Sequence, residues 1–156
     1  MTANNGYQAM ITQHSWMFLS SFEKLREKMM LTETVNMAHL GARAFEEIGG
    51  EVVQTTAFVR CINHVDGYKG TYCRLIGPTS QRGKEDMFLA GKNRFEADQS
   101  NFSKIPGSPV AYWISEQLLS AFESSPSLSK LCEPKVGLQS GNSEKYFRIW
   151  QEVSYE

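Results

Sequence analysis

The sequence is poor in cysteine, and its cysteines lack the spacing of a disulfide framework or a zinc site. Among 156 residues only Cys61, Cys73 and Cys132 are cysteine. An odd number of widely spaced cysteines favours reduced thiols in a cytoplasmic protein. A disulfide between Cys61 and Cys73, both on predicted strands, is the less favoured alternative.

Long apolar runs and an excess of positive charge are also missing. No run approaches the roughly 20 apolar residues of a membrane-spanning helix, and the N-terminus has no signal segment, so no membrane contact is expected. The formal net charge is -1. Any contact with nucleic acid must therefore come from a local patch or from another part of a larger protein. With 41% hydrophobic and 21% charged residues, the chain is expected to fold around a core.

The common catalytic motifs are absent too. The sequence has no phosphate-binding loop, no dinucleotide-binding glycine turn and no nucleophile elbow. The three histidines, His14, His39 and His64, do not have metal-ligand spacing. His39 is expected to be a half-buried structural residue. His14 lies just past a predicted strand, where α/β proteins place ligands, and the stretch 13–16 is a candidate lining of a cleft.

Hydrophobic periodicity predicts an α/β chain. Residues 7–12 form a short apolar stretch typical of a buried strand. Ser20 or Ser21 is predicted to cap the following helix, which should end near Leu31, and Ser20 with Glu23 fits a capping box. Further strands are predicted over 34–40, 52–61 and 68–76, and the last two should pair as an antiparallel hairpin.

The second half of the chain is less regular. One or two helical turns are predicted over 84–90, whereas 94–103 gives no clear pattern. A linker with two prolines follows at 105–109, and 110–113 is expected to be extended. Ser115 should cap a helix whose buried stripe is Leu118, Leu119 and Phe122. A last strand is predicted over 146–153.

A resemblance to a known family runs through most of the chain. It is carried by the segments GYQAMITQHSWMFLSSFEKLREKMM, TVNMAHLGARAFEEIGGEVVQTTAFVR, NFSKIPGSPVAYWIS and EPKVGLQSGNSEKYFRIW. These resemble the later half of the catalytic domain, and the region after it, in N6-adenine-specific DNA methyltransferases of the BREX phage-defence type. The resemblance implies the C-terminal half of a Rossmann-like methyltransferase sheet, in the order strand-helix-strand-strand with the final strand antiparallel. A hairpin extension, a linker helix and the start of a mainly β recognition domain should follow.

The resemblance divides the chain into three parts. Residues 1–78 would belong to the catalytic domain, 79–127 would connect, and 128–156 would begin a truncated target-recognition domain. In this family the S-adenosylmethionine loop and the catalytic Asn-Pro-Pro-Tyr motif stand on earlier strands, and this sequence contains neither. The resemblance therefore assigns no catalytic, cofactor-binding or metal-binding residue, and no cofactor is expected for this chain alone.

The resemblance also implies site residues. Phe45 matches the aromatic residue that stacks on a flipped-out adenine, because an extruded base has lost its stacking neighbours; its alternative is packing under its own loop. Arg43 would meet a phosphate or lie on plain surface. The remaining candidates for DNA contact are Lys135, Gly137, Gly141 and Asn142, and an ordinary β-turn is their alternative. Trp113 is expected in the core rather than in a stacking platform.

Three hypotheses about function stay open at this point. The chain is a fragment of an adenine methyltransferase that contacts double-stranded DNA only in its full-length context. Alternatively, it is a complementing subunit, and a separate chain carries the N-terminal catalytic half. The third reading is a non-catalytic DNA-binding module. Under the first two, the first strand would have a bare edge, and we expect an isolated chain that aggregates or is marginally stable.

Overall fold

The computed structural model describes residues 3, 5–45, 53–133, 135, 137, 141–142, 145 and 147–148. The chain divides into two compact units, Met1–Ser124 and Ser125–Glu156. This split falls near the predicted boundary after residue 127 but joins 79–124 to the preceding part. The roles given to the three predicted parts stay predictions.

The first unit is a mixed α/β structure. Its strands and α-helices are β1 (Tyr7–Gln13), α1 (Glu23–Met29), β2 (Glu33–Gly41), β3 (Thr55–Cys61), β4 (Lys69–Arg74), α2 (Gln81–Leu89), β5 (Arg94–Asp98) and α3 (Glu116–Ser124). Short 3-10 helices cover His14–Met17, Ser20–Phe22 and Gln99–Lys104. The second unit contains α4 (Leu128–Leu131). The strand predicted over 146–153 lies almost wholly outside the described residues, and residues 147 and 148 have no regular structure.

The strands form one sheet in the order β1-β3-β2-β4-β5. β3 lies between β1 and β2 and is antiparallel to both, whereas β4 is parallel to β2 and antiparallel to β5. The antiparallel direction expected for the 52–61 strand is therefore confirmed. The predicted hairpin of 52–61 with 68–76 is wrong. β1 and β2 already occupy both edges of β3, so β4 has to pair with the free edge of β2.

Several local predictions also changed. α1 begins at Glu23 after Phe22, and no side chain caps it, so the capping box of Ser20 with Glu23 is wrong. Ser20 instead starts a 3-10 turn. β5 was not predicted, because its five residues include three charged ones and are too few for a clear alternation. The stretch 110–113, expected to be extended, joins no strand of the sheet.

The core lies against one face of the sheet. It consists of Trp16, Met17, Met37, Phe58, Tyr72, Phe102, Val110 and Tyr112. On α3, only Leu119 of the predicted stripe is buried, while Leu118 and Phe122 are exposed. Leu118 N donates to Ser115 Oγ at 3.4 Å, which confirms Ser115 as the cap. The apolar residues of β1 predicted a buried strand, but β1 is the edge strand and Ile11 on it is 61% exposed. This is the bare edge expected if the earlier strands of the sheet are missing.

A buried arginine joins separate segments beneath this core. The guanidinium of Arg26, on α1, donates to the carbonyl oxygens of Trp16 at 2.8 Å, Leu19 at 2.7 Å and Gly107 at 2.6 Å. Buried polar groups need such partners, because each one left unsatisfied costs about 1–3 kcal/mol. Arg26 thus fixes the 3-10 helices after β1 and the linker before residue 110, which together form one side of the site described next.

Candidate functional site

The carboxyl ends of three strands meet at one edge of the sheet. β1 and β2 are both antiparallel to β3, and β4 is parallel to β2, so β1, β2 and β4 run in the same direction. Their chains continue into His14, into the loop 42–45 and into Leu75, respectively. In α/β sheets this edge is where ligands bind, because loops from neighbouring strands converge there.

A lysine on α2 holds two of these strand ends together. Lys84 Nζ donates to the carbonyl oxygens of Leu40 and Leu75, both at 2.7 Å. Its side chain is buried, and that burial lowers the pKa of Lys84. Directly after Leu40, the chain turns at Gly41. The φ of Gly41 is +66°, and an added Cβ would lie 3.0 Å from Ile76 Cγ2. The start of the 42–45 loop is therefore fixed by both Lys84 and Gly41.

Two histidines and a tyrosine form a hydrogen-bonded row at this edge. His14 Nδ1 lies 2.8 Å from His39 Nε2, and His39 Nδ1 lies 3.1 Å from the Tyr112 hydroxyl. His39 is buried, as predicted, and its ring is satisfied on both sides. A neutral imidazole has one donor and one acceptor, so the row is consistent with two tautomers of His39. The row joins the end of β1, the end of β2 and the stretch 110–113.

His39 should stay neutral in the folded chain. Burial, with the nearby charges of His14, Arg74 and Lys84, lowers the pKa of His39 from 6.5 to about 4. The unfolded chain takes up a proton on His39 below about pH 6.5, whereas the folded chain resists it until about pH 4. His39 therefore contributes to the free energy of unfolding above about pH 6.5, the pKa in the unfolded chain. This contribution is lost as the pH falls towards about 4.

We expect the free energy of unfolding to decrease by roughly 2 kcal/mol from His39 alone between about pH 7 and about pH 5. Urea unfolding followed by circular dichroism at several pH values measures this decrease. The variant His39→Gln keeps a polar side chain that does not titrate, so its stability should fall less over the same range. Equal decreases in the two proteins would show that His39 does not titrate differently in the folded and unfolded chains.

An open aromatic cluster continues outward from the histidines. The ring of Phe18 lies 5.5 Å from that of His14, 5.9 Å from that of His39 and 6.0 Å from that of Trp113, and Phe18 is 36% exposed. The Arg74 guanidinium lies 4.9 Å from the centroid of the Trp113 ring. We call Phe18, Trp113 and Arg74 the open cluster. It presents aromatic faces and one positive charge next to the strand ends.

The residues predicted after the first strand divide between site and core. His14 takes part in the row of histidines, which the sequence signalled only by its place after a strand. Trp16 was a candidate for the cleft but is buried in the core, where its indole donates to Thr12 Oγ1 at 3.0 Å. Trp113 packs against the core, as predicted, and is also part of the open cluster. Arg74, Phe18 and Tyr112 were not predicted as site residues, since each is placed by contacts with distant parts of the chain.

The loop after β2 carries the predicted base-stacking residue. Phe45 is 41% exposed, and Arg43 is exposed and has a φ of 55°. Both follow the end of β2, on the same edge of the sheet as His39. Residues 46–52, the rest of this loop, lie outside the described part. The roles of Phe45 and Arg43 stay predictions.

The second unit carries the other predicted DNA contacts. Lys135 Nζ lies 2.5 Å from Glu133 Oε1, and both side chains are exposed. Gly141 has a φ of 67°, and Asn142 Oδ1 accepts a hydrogen bond from Lys145 N at 3.0 Å. Gly137 lies nearby in the sequence and has no regular structure. Lys135, Gly137, Gly141 and Asn142 are all exposed, and their role in DNA contact remains a prediction.

Within the described ranges, no group of three or more potential metal ligands occurs. All three cysteines are free, so the disfavoured disulfide between Cys61 and Cys73 is not formed. The helices of the described part include none that is long and apolar enough to cross a membrane.

Comparisons with known proteins now give the site a context. No protein-family model matches the chain. Over 162 aligned positions, which include 99% of this chain, it is 48% identical to the adenine-specific methyltransferase PglX of Lacticaseibacillus casei (strain Zhang). Over 152 positions, or 96% of this chain, it is 42% identical to the adenine-specific methyltransferase BrxX of Escherichia coli O9:H4 (strain HS). The chain spans only 14% and 12% of the lengths of these relatives.

A solved structure is also similar. A chain of a type I restriction-modification system aligns with a TM-score of 0.49 at 11% identity, covering 83% of this chain and 32% of that one. This likeness is too distant to carry an argument about fold or function. The sequence matches are far closer, and they confirm the resemblance seen in the sequence. Over nearly its whole length, the chain is similar to one segment of the adenine-specific methyltransferases PglX and BrxX.

Proposed function

We propose that this chain forms part of a DNA methyltransferase that transfers a methyl group from S-adenosylmethionine to N6 of adenine, in phage defence or DNA modification. This chain would form one wall of the pocket that binds the extruded adenine. The observation that carries this proposal is that the open cluster and the Phe45 loop both lie at the carboxyl edge of β1, β2 and β4, where α/β proteins bind ligands. The similarity to adenine-specific methyltransferases supplies the reaction type.

The chemistry of an extruded base fits the residues at this edge. A base that leaves the DNA stack loses aromatic contacts, and a planar apolar side chain replaces them. Phe45 has an exposed face for this role. The row of His14, His39 and Tyr112 holds the adjoining strand ends in place, and a neutral His39 adds no charge to a pocket for a neutral base.

The residues of this chain do not fit a complete cofactor site. The sequence has no Asn-Pro-Pro-Tyr motif and no glycine-rich cofactor loop. We therefore assign no step of the methyl transfer to residues of this chain. The groups that bind S-adenosylmethionine and polarise the adenine amino group would come from the part of the protein that this chain does not include.

The edge strand indicates where that other part would join. Within the described residues, β1 pairs only with β3, so its other edge presents unpaired backbone groups. Tyr7, Met10 and Ile11 on β1 are 68%, 44% and 61% exposed. Exposed apolar strands are costly and aggregate readily. We propose that the catalytic half, on the same or on a separate chain, adds a strand along β1, and that double-stranded DNA binds to the completed assembly.

Methyl transfer assays test the proposed function directly. With labelled S-adenosylmethionine and bacterial DNA, this chain alone should give only background incorporation, because it lacks the cofactor and catalytic motifs. When the chain replaces the matched segment of the Lacticaseibacillus casei relative, the hybrid should label adenine. The same relative with the segment deleted is the control.

Two results would contradict the proposal. Incorporation clearly above background by the chain alone would show that the missing motifs are not needed. A hybrid that folds and binds S-adenosylmethionine but labels no adenine would show that this segment does not serve the reaction of its relatives. Salt-sensitive DNA binding by the chain together with an inactive hybrid would favour the DNA-binding module instead.

A further inference from the structure

Arg74 differs from the other buried or half-buried cations of the first unit. Arg26 and Lys84 donate to carbonyl oxygens, and Arg60 donates to Thr32 O at 2.9 Å and to Thr34 Oγ1 at 3.1 Å. Arg74 Nε is buried and has no hydrogen-bond partner. No carboxylate in the described part of the chain forms an ion pair with Arg74. A buried N–H without a partner is costly, so its presence at this place needs a reason.

The position of Arg74 gives that reason. In the parallel pairing of β2 with β4, Arg74 lies opposite His39 at the carboxyl end of both strands. Its guanidinium lies over the face of Trp113, which borders Phe18. An arginine stacked on an aromatic ring is held flat, with its N–H groups directed outward at the rim of the ring. This geometry suits two parallel hydrogen bonds to phosphate oxygens.

We propose that Arg74, held flat by Trp113, binds a backbone phosphate of the DNA strand that carries the extruded adenine. This inference rests on the proposed function and adds a second contact to it. Phe45 would stack on the base, and Arg74 would fix the sugar-phosphate backbone beside it. A protein with a net charge of -1 has no broadly basic surface, so such a local contact is needed to position the strand.

A matched control exists on the other face of the sheet. The Arg94 guanidinium lies 5.1 Å from the centroid of the Phe88 ring, and the residue pairs with Cys73 in the β4–β5 ladder. Side chains of successive residues on a strand point to opposite faces. Arg94, which shares the face of Cys73, therefore lies on the face opposite Arg74. Removal of either arginine changes the net charge equally, but only Arg74 borders the open cluster.

The test uses the hybrid methyltransferase in which this chain replaces the matched segment of the Lacticaseibacillus casei relative. It measures binding of the hybrid to a fluorescent duplex with one unpaired adenine, by anisotropy at several salt concentrations. Each substitution is made in this segment of the hybrid, and the hybrid without a substitution is called the unmodified chain. Arg74→Gln should weaken binding about tenfold, and it should reduce the slope of log K against log salt by about 0.9. Arg74→Lys should keep the slope and lose part of the affinity. Arg94→Gln should behave like the unmodified chain. Thermal unfolding of each variant checks that it is folded.

A modified duplex identifies the phosphate and separates it from free anions. Neutral methylphosphonate linkages replace the phosphates on either side of the unpaired adenine. They should weaken binding of the unmodified chain but cause no further loss in Arg74→Gln, because that contact is already gone. Inorganic phosphate should compete only at high concentration.

The outcomes distinguish this inference from the proposed function. If Arg74→Gln has the slope of the unmodified chain, or if Arg94→Gln reduces it equally, the inference is wrong. The inference is also wrong if the losses of binding free energy caused by the methylphosphonate linkages and by Arg74→Gln are additive. If Arg74→Gln behaves as expected but the unmodified protein binds unpaired and paired adenine equally, the phosphate contact is supported. The proposed pocket for the extruded base is then wrong.

Discussion

Phe45→Ala is expected to weaken binding of a duplex with one unpaired adenine by roughly 5- to 150-fold. The reason is that stacking of a base on an aromatic side chain contributes about 1–3 kcal/mol. Phe45 is 41% exposed in a loop whose start is fixed by Gly41 and Lys84. Its ring can therefore meet a base without a large rearrangement of the sheet. Anisotropy at low salt with the hybrid methyltransferase measures the loss.

The controls for Phe45 separate stacking from loss of apolar surface. Phe45→Trp should bind the unpaired adenine at least as well, since it keeps a planar ring. Phe122→Ala removes a phenylalanine of similar exposure, 44%, from α3 and should leave binding unchanged. A fully paired duplex should bind the Phe45 variants and the unmodified chain alike. If Phe45→Ala binds unpaired adenine normally but is less stable, Phe45 packs under its own loop.

Gly70→Ala is expected to lower the free energy of unfolding by about 3 kcal/mol. Gly70 lies in β4, where an added Cβ would be 2.2 Å from the carbonyl oxygen of Thr34. That oxygen belongs to the backbone near the start of β2, so β2 and β4 would have to separate locally. Because β2 carries His39 and β4 carries Arg74, the same shift should disturb the site. Denaturant unfolding measures the stability.

Gly77→Ala provides the comparison for this substitution. Gly77 follows β4 a few residues later, and nothing lies within 4 Å of the position of an added Cβ. Its replacement should change the stability little, since the new methyl group meets open space. Equal stability of the Gly70 and Gly77 variants would contradict the close approach of β4 to β2.

The sequence predicted most strands but not the pairing of β3 and β4. The apolar and β-branched runs of β1, β2 and β3 identify them as strands whatever their neighbours are. Pairing depends on which edges remain free after the sheet assembles, and β3 is already flanked by β1 and β2. Adjacent strands with a short turn usually pair with each other. Here β3 and β4 do not pair, because both edges of β3 are already occupied.

Two sequence signals pointed to the candidate site. His14 was a candidate because it follows a predicted strand, and Phe45 because it matches the base-stacking residue of the family that the sequence resembles. Arg74 is the last residue of β4, its neighbours have ordinary composition, and its partner Trp113 lies far along the chain. No periodic pattern in the sequence indicates that Arg74 and Trp113 are in contact. Their contact depends on the placement of the 110–113 stretch on the sheet, to which the buried Arg26 contributes.

Photochemical crosslinking tests most directly whether this edge of the sheet receives an extruded base. An unpaired iodouracil in a duplex, in place of the adenine, reacts under light with an aromatic ring that stacks on it. After irradiation with the hybrid methyltransferase, mass spectrometry should place the crosslink on Phe45. No crosslink in Phe45→Ala, with one retained in Phe122→Ala, would complete the expected result. A crosslink confined to residues away from the carboxyl ends of β1, β2 and β4 would contradict the account.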